Sequence, residues 1–250
     1  MGGFKPALIN EIEKLYKKKK VTVSSVLSVI VIILVQLTMT VLQSRVGLRS
    51  VGSMEFPILV LSVTVISILP LFTALVTIDS FSGEFSHNTM KISLTRPVTR
   101  FKLLLAKICA IMCFVLTNLL LVMILSLLVG LIFNRNSFTL LGLYRVLISY
   151  IVTLLPMLVL SLMIIFFTNI LKSGTGVFFL SIIVFIGFKV SEIVFYQYSG
   201  LFLTSMLDWY NLWIMDILPL GKIIRTFVLM CSYVIILFTG SYSLFDKRDF

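Results

Sequence analysis

Side chains that could do chemistry are scarce in this chain and fall mostly in two places. The single histidine, His87, sits in a polar and basic stretch, 79–107, with Glu84, Lys91, Arg96 and Arg100. The second place is Lys189 and Glu192, opposite charges three residues apart inside an apolar run. One histidine outside the apolar runs cannot build an ordinary metal site or Ser-His pair. No H-E-x-x-H or G-x-S-x-G motif occurs. An aspartyl dyad needs two carboxyls at one depth, but Asp79 bounds one apolar run while Asp208 and Asp216 lie in a separate segment. The only Gly-Lys pair, Gly221-Lys222, lacks the upstream glycine and the following Ser or Thr of a phosphate-binding loop. The expectation is a chain with no catalytic residue, metal or cofactor, and no ATP hydrolysis of its own.

The elements that position these residues are read from composition. Hydrophobic residues make up 59% and charged residues only 12% of the 250 residues, with a mean hydropathy of +1.13. Soluble domains are far more polar, and here the apolar residues come in blocks long enough to cross a bilayer. The net charge of +11 would suit nucleic acid, but the charges stand at the ends of apolar runs, as at a membrane boundary. Cys109, Cys113 and Cys231 all lie inside apolar runs without metal-ligand spacing and read as small core residues. The first apolar run is too long for a cleavable signal peptide and lacks a small-residue cleavage site.

The expected fold is all-α and membrane-integral, with six transmembrane helices. Residues 1–20 form an amphipathic segment, with Phe4, Leu8, Ile12, Leu15 and Tyr16 at helical spacing among lysines. It reads either as an interfacial elbow helix or as a basic flank of the first span. The remainder, 21–250, carries spans near 21–42, 57–78, 101–133, 144–170, 175–195 and 222–244. Pro57 opens the second span, and Pro70 and Pro156 should kink the second and fourth. Thr99 is a candidate N-cap for the third. Segment 196–221 holds both tryptophans, Trp209 and Trp213, with Asp208 and Asp216, and reads as an outer re-entrant or interfacial segment. On this layout 14 of the 21 Lys and Arg residues lie on the side of the termini and six on the other, with Lys189 within a span. That bias places both termini in the cytoplasm. No internal repeat is visible, which argues against an inverted-repeat transporter.

Both polar places admit two readings. Within 79–100, Phe81 and Phe85 share a face with Glu84 on another, and Met90 and Leu94 are apolar positions of a short helical turn that Pro97 ends. Such an element suits docking in a partner's groove; a basic loop that only fixes topology has the same composition. Lys189 stands about 21 Å from the inner end of its span at about 1.5 Å per residue. Paired with Glu192 it marks a pathway or a structural lock; alternatively Lys189 snorkels to the outer surface.

The run G-E-F-S-H-N-T-M-K-I-S-L-T-R-P-V-T-R-F-K-L-L-L-A-K resembles the signature of type-2 ATP-binding-cassette (ABC) exporter permeases. The matching positions are Gly83, Glu84, Thr89, Pro97, Val98, Thr99, Arg100 and Lys107; Asn88 stands where that family often has glycine. The resemblance implies a plasma-membrane permease subunit that pairs with a second permease, identical or related, among membrane lipids and without nucleic acid. Separate cytoplasmic ABC ATPase subunits would bind ATP and Mg. Segment 79–100 would couple to them, with Glu84, Phe85, Met90, Leu94, Pro97 and Arg100 at the contact. The scarcity of charge within the spans favours export of a hydrophobic or amphipathic substrate such as a membrane-active peptide, an antibiotic or a lipid-like molecule. A rival is a non-transport scaffold or sensor that binds a cytoplasmic ATPase or kinase.

Overall fold

A computed structural model describes residues 4–46, 51–86, 99–134, 138–171 and 173–247. Among the described residues every regular element is helical. Long apolar runs give no alternating pattern for a half-buried strand, and in lipid a helix satisfies its backbone groups internally. Serines and threonines inside the helices return their hydroxyls to the preceding turn, as with Thr64 to the Val60 carbonyl at 2.6 Å and Ser80 to the Val76 carbonyl at 2.9 Å. Many polar side chains thereby sit in apolar surroundings with their donors satisfied, although the buried hydroxyls of Thr73, Thr77 and Ser82 on α4 find no partner.

The chain opens with α1 (Phe4–Tyr16) and α2 (Lys19–Val46), separated at Lys17 and Lys18. Helices α3 (Glu55–Ile66) and α4 (Ile68–Ser86) follow. The expected kink at Pro70 is a break at Ser67, with a 44° bend between the two arms. Proline acts backwards: it has no N–H for the Ile66 carbonyl, and its ring crowds the preceding turn. Ser67 leaves the helical region at φ −110°, ψ −83°, while its N–H and hydroxyl both go to the Val63 carbonyl at 3.1 and 2.5 Å.

Next come α5 (Arg100–Phe133), α6 (Leu140–Val152) and α7 (Leu154–Ile170). The second proline repeats the device. The break falls at Thr153, three residues before Pro156, and the Thr153 N–H and hydroxyl both reach the Ser149 carbonyl. Thr153 keeps a helical backbone, φ −61°, ψ −20°, and Leu140–Ile170 remains one continuous stretch. The second and fourth apolar helices thus begin earlier than expected, at Glu55 and Leu140 rather than 57 and 144. Helix α8 (Gly174–Val194) leads into two 3-10 turns, Tyr196–Leu201 and Leu207–Trp213, on either side of α9 (Leu203–Met206), and α10 (Leu220–Asp246) closes the described chain.

Among the described residues, five stretches are long and apolar enough to cross a bilayer: Lys19–Arg45, Arg100–Phe133, Leu140–Ile170, Gly174–Val194 and Leu220–Asp246; the bent α3–α4 pair makes a sixth if it counts as one span. Helices α4 and α7 hold the assembly together. Phe72 and Val76 of α4 join a core with Phe56, Leu104, Ile111 and Phe114. Its Ala74 and Ile78 join a second core with Leu160, Ile164, Val177 and Met230. Helices α8 and α10 are peripheral, with only 11% of each apolar window buried against 61% for Leu140–Ile170. The two ends of the bundle differ. At the insert end the last turns of α4 meet α1, α5 and the start of α8. At the far end Gly130 of α5 abuts the 51–54 turn so closely that a Cβ would stand 2.6 Å from the Ser53 carbonyl oxygen. Backbone cannot yield there as a flexible side chain can, so the approach requires glycine.

Candidate functional site

Helix α5 has 34 residues, far more than the roughly 20 that a bilayer needs. Its first turns carry α1, which lies alongside with Ala7, Glu11 and Leu15 buried. Of the apolar face expected from sequence, Leu15 is buried in the core, Ile12 packs against it and Leu8 is half-buried; a glutamate occupies the centre of the packed face. Tyr16, expected as an apolar anchor, has its hydroxyl 2.6 Å from the Thr117 hydroxyl of α5.

Glu11 is buried because Lys107 answers it. The Lys107 side chain is fully enclosed, and its Nζ donates to Glu11 Oε2 at 2.9 Å and to the Ser80 carbonyl of α4 at 2.9 Å. The Phe81 ring centroid lies 5.5 Å from the same nitrogen, within cation–π range. A buried ammonium is tolerated only with a partner and further hydrogen bonds, and here both come from different helices. One lysine therefore ties α1, α4 and α5 at a single point. Glu11 also accepts from Lys14 at 3.2 Å.

Other contacts fix the two roots of the polar stretch. On the incoming side, Lys20 of α2 pairs with Asp79 at 2.9 Å. The start of α8 also closes on α4: a Cβ at Gly174 would meet Ile78 at 3.3 Å and Ser82 at 3.5 Å. On the outgoing side, Thr99 caps α5 by accepting from the Lys102 N–H at 3.4 Å. Arg100 donates to the Asp246 carbonyl of α10, and Phe101 packs edge-on against Phe238 and Tyr242 of α10 at 5.9 and 5.5 Å. Between the apolar spans, Asn118 bridges Ser24 and Ser28 of α2 at 2.8 and 3.2 Å.

Of the site residues expected from sequence, Arg100 is in this frame. Glu84 and Phe85 occupy the last turn of α4. His87, Met90, Leu94 and Pro97 lie outside the described residues. Lys189 and Glu192 meet at 3.2 Å, with side chains 36% and 21% exposed. Glu192 also accepts from the enclosed Thr204 hydroxyl at 2.9 Å, which pins α9 to α8. A second acid, Asp208, follows one turn after Thr204. Burial pushes its carboxyl above the usual range; Lys189 opposes that push and Glu192 adds to it. Among the described residues no three His, Cys, Asp or Glu side chains gather as metal ligands would.

The residue that sequence reading missed is Glu11. Its one signal was a spacing, four residues from both Ala7 and Leu15, which puts a carboxylate on the strip that packs. Its partner stands 96 residues away, beyond the reach of any local pattern.

A family model described as ABC-2 family transporter protein matches residues 7–189. The match begins within α1, takes in Glu11, Lys20, Asp79, Ser80, Arg100 and Lys107, and ends at Lys189. A search of curated proteins gives no match. The Lys107 joint and the Lys20–Asp79 pair at the root of the polar stretch are thus inside the matched region, while the α10 partners of Arg100 and Phe101 lie beyond it, and the chain belongs to the ABC-2 family of membrane transport proteins.

Proposed function

We propose that this chain is the membrane subunit of an ATP-driven exporter that moves a hydrophobic or amphipathic substrate. Membership of the family implies association with an ABC ATPase. In this reading that partner binds ATP and Mg, a second permease completes the path, and the plasma membrane is crossed six times with both termini in the cytoplasm. The α3–α4 pair supplies one crossing, α1 serves as the elbow, and 196–221 lies at the outer surface. Segment 79–100 meets the ATPase.

The observation that supports this reading is the Lys107 joint. A segment that receives force must be rooted in rigid elements, or the displacement is lost locally. Here the incoming root, Ser80, and the outgoing helix, α5, share one enclosed ammonium with α1. A push on the segment is therefore delivered to three helices together. A loop that only fixed topology would need no such joint.

The test is to purify the permease with its ATPase and measure bound ATPase, ATP hydrolysis and export. Apolar anchors carry most of the energy in such grooves, and truncating one costs about 2 kcal/mol. Met90→Ala and Leu94→Ala should therefore weaken assembly, or leave hydrolysis running without export. Glu84→Ala, at the end of α4, should harm coupling more than assembly. Leu140→Ala, exposed at the far end, is the control. Insert variants that bind ATPase and export normally would show the segment to be a topological loop. ATPase binding without substrate-stimulated hydrolysis in the unaltered complex would favour the scaffold reading.

A further inference from the structure

The break in the α3–α4 pair opens onto a groove that the coupling frame does not use. Ile66 and Ser67 form its upper edge, Pro70, Leu71 and Ala74 its α4 wall, and residues of α7 and α8 the rest, around a cavity volume of about 120 Å³. That is smaller than the roughly 300–1,000 Å³ of pockets that enclose a drug-sized ligand, so the groove suits a slender chain and not a bulky one.

Its chemistry is restrictive. The lining has two hydroxyls, and both are already committed: Ser67 to the Val63 carbonyl at 2.5 Å and Ser181 to the Val177 carbonyl at 2.8 Å. The remaining side chains are apolar. No hydroxyl hydrogen is left to donate, so a sugar or a peptide carbonyl would lose hydrogen bonds to water that the lining does not replace, at a cost of about 1–3 kcal/mol per group. Hydrocarbon loses nothing. Depth agrees. The α8 residues that line the groove, Phe178 to Phe185, stand about 6 to 17 Å along the helix from Gly174. That is about one leaflet of a hydrocarbon core some 30 Å thick. Exposed Ile66 and Leu71, 48% and 41% accessible, form a mouth on the lateral surface. A further helix, about 10 Å wide with its side chains, has no room between three helices already packed together.

We propose that this groove binds one hydrocarbon chain of a lipid-like amphiphile, taken laterally from the leaflet at the insert end. The proposal deepens the exporter reading, on which it rests only for calling that amphiphile a cargo. The chain would touch both arms of the bent pair, Ile66 on α3 and Pro70, Leu71 and Ala74 on α4. Ala74 is five residues from Asp79 and six from Ser80, so the seat stands about 8 Å along α4 from the roots of the coupling segment. Occupancy stabilises whichever bend angle fits the chain better, and the same helix carries that preference to Lys107.

The experiment uses the whole chain in lipid nanodiscs with palmitate that bears a diazirine on its tail. Saturation separates a site from bulk lipid. Labelling of 66–74 and 178–185 should saturate and be competed away by plain palmitate. Labelling of the outward face of α2, at Val26, Ile33 and Leu37, should rise linearly without competition. Leu71→Trp and Ile182→Trp narrow the mouth at positions that are not enclosed, so the fold tolerates them. Each should lower the groove label several-fold and leave the α2 label unchanged. Groove labelling that is linear, uncompeted or indifferent to both substitutions would overturn the site. In the complex with ATPase, palmitate should raise ATP hydrolysis in the unaltered chain and not in Leu71→Trp. Saturable labelling without that response keeps the site and removes the cargo assignment; loss of saturable labelling in a complex that exports removes the site and keeps the exporter.

Discussion

The two ends of the bundle use charge in opposite ways. At the insert end, ion pairs join separate elements. Glu11 of α1 meets Lys107 of α5 with 6% and 0% of the side chains exposed, and Lys20 of α2 meets Asp79 of α4. At the far end, Lys189 and Glu192 lie three residues apart on one helix, and Arg145 pairs with an Asp216 that is 90% exposed. A pair within a helix adds little to what the helix already fixes, and an exposed pair is screened. A dry pair between helices lets neither move without the other. The insert end is therefore built to move as one piece, and the far end is laced more loosely. The family match has the same asymmetry, since it contains every insert-end pair and stops at Lys189, before Glu192, Asp208 and Asp216.

The sharpest way to break this comparison is to remove one half of the dry pair. Lys107→Met leaves the buried Glu11 with only the half-exposed Lys14 as a partner, and breaking a buried pair costs about 3–5 kcal/mol. Thermal unfolding in mild detergent should show a large loss. Glu11→Gln with Lys107→Met leaves no charge behind and should recover most of it, because neutral replacement of a buried pair is often near neutral in stability. The recovered variant should bind ATPase but export less, since the three helices no longer share a joint. A single Lys107→Met variant as stable as the unaltered chain would show that water reaches the pair and that the two ends do not differ.

The matching change at the far end should do much less. Lys189→Ala should cost no more than about 1 kcal/mol, the usual range for a partly exposed pair. Adding Glu192→Ala should change little further, apart from the loss of the Thr204 hydrogen bond. A penalty as large as that of Lys107→Met would mean that the pair is dry in the membrane and works as a lock between α8 and α9.

The sequence displayed the two ends unequally. Long apolar runs made the helices legible, and Thr99 as the cap of α5 followed from side-chain chemistry alone. Both prolines were expected to kink their helices: Pro70 does so through the break at Ser67, in the preceding turn that its ring crowds, whereas Thr153 before Pro156 keeps a helical backbone and Leu140–Ile170 stays one stretch. Lys107 was visible only through a family signature, and its role could not be read because Glu11 and the Ser80 carbonyl arrive by tertiary packing. On α1 the expected apolar positions Ile12 and Leu15 pack inward, but hydrophobic spacing gave no sign that the same side also packs a paired carboxylate. Lys189 and Glu192 were easy to see because their spacing is local, which is also why their pairing constrains the fold less.

The smallest expected effect tests whether the far end is as loose as its exposure implies. Asp208 follows Thr204 by one turn, beside the Lys189–Glu192 pair. Burial raises its carboxyl above the usual range, the attraction of Lys189 is too weak to reverse this, and Glu192 reinforces it. A carboxyl whose value is raised on folding favours the protonated state in the fold. Its ionisation therefore costs stability once the pH exceeds the value in the unfolded chain, and stability returns as the pH falls through the raised value. Asp208→Asn removes that cost. The variant should unfold at a slightly higher temperature than the unaltered chain near neutral pH, and the difference should shrink toward zero in acid, where Asp208 is already protonated. Every other group is the same in the two proteins, so the difference between the two curves isolates Asp208. A variant less stable at neutral pH, with the deficit vanishing in acid, would mean that Lys189 holds Asp208 more firmly than burial penalises it. The far end would then carry an ion pair between α8 and the 3-10 turn, as tight in kind as the one that Lys107 makes at the other end.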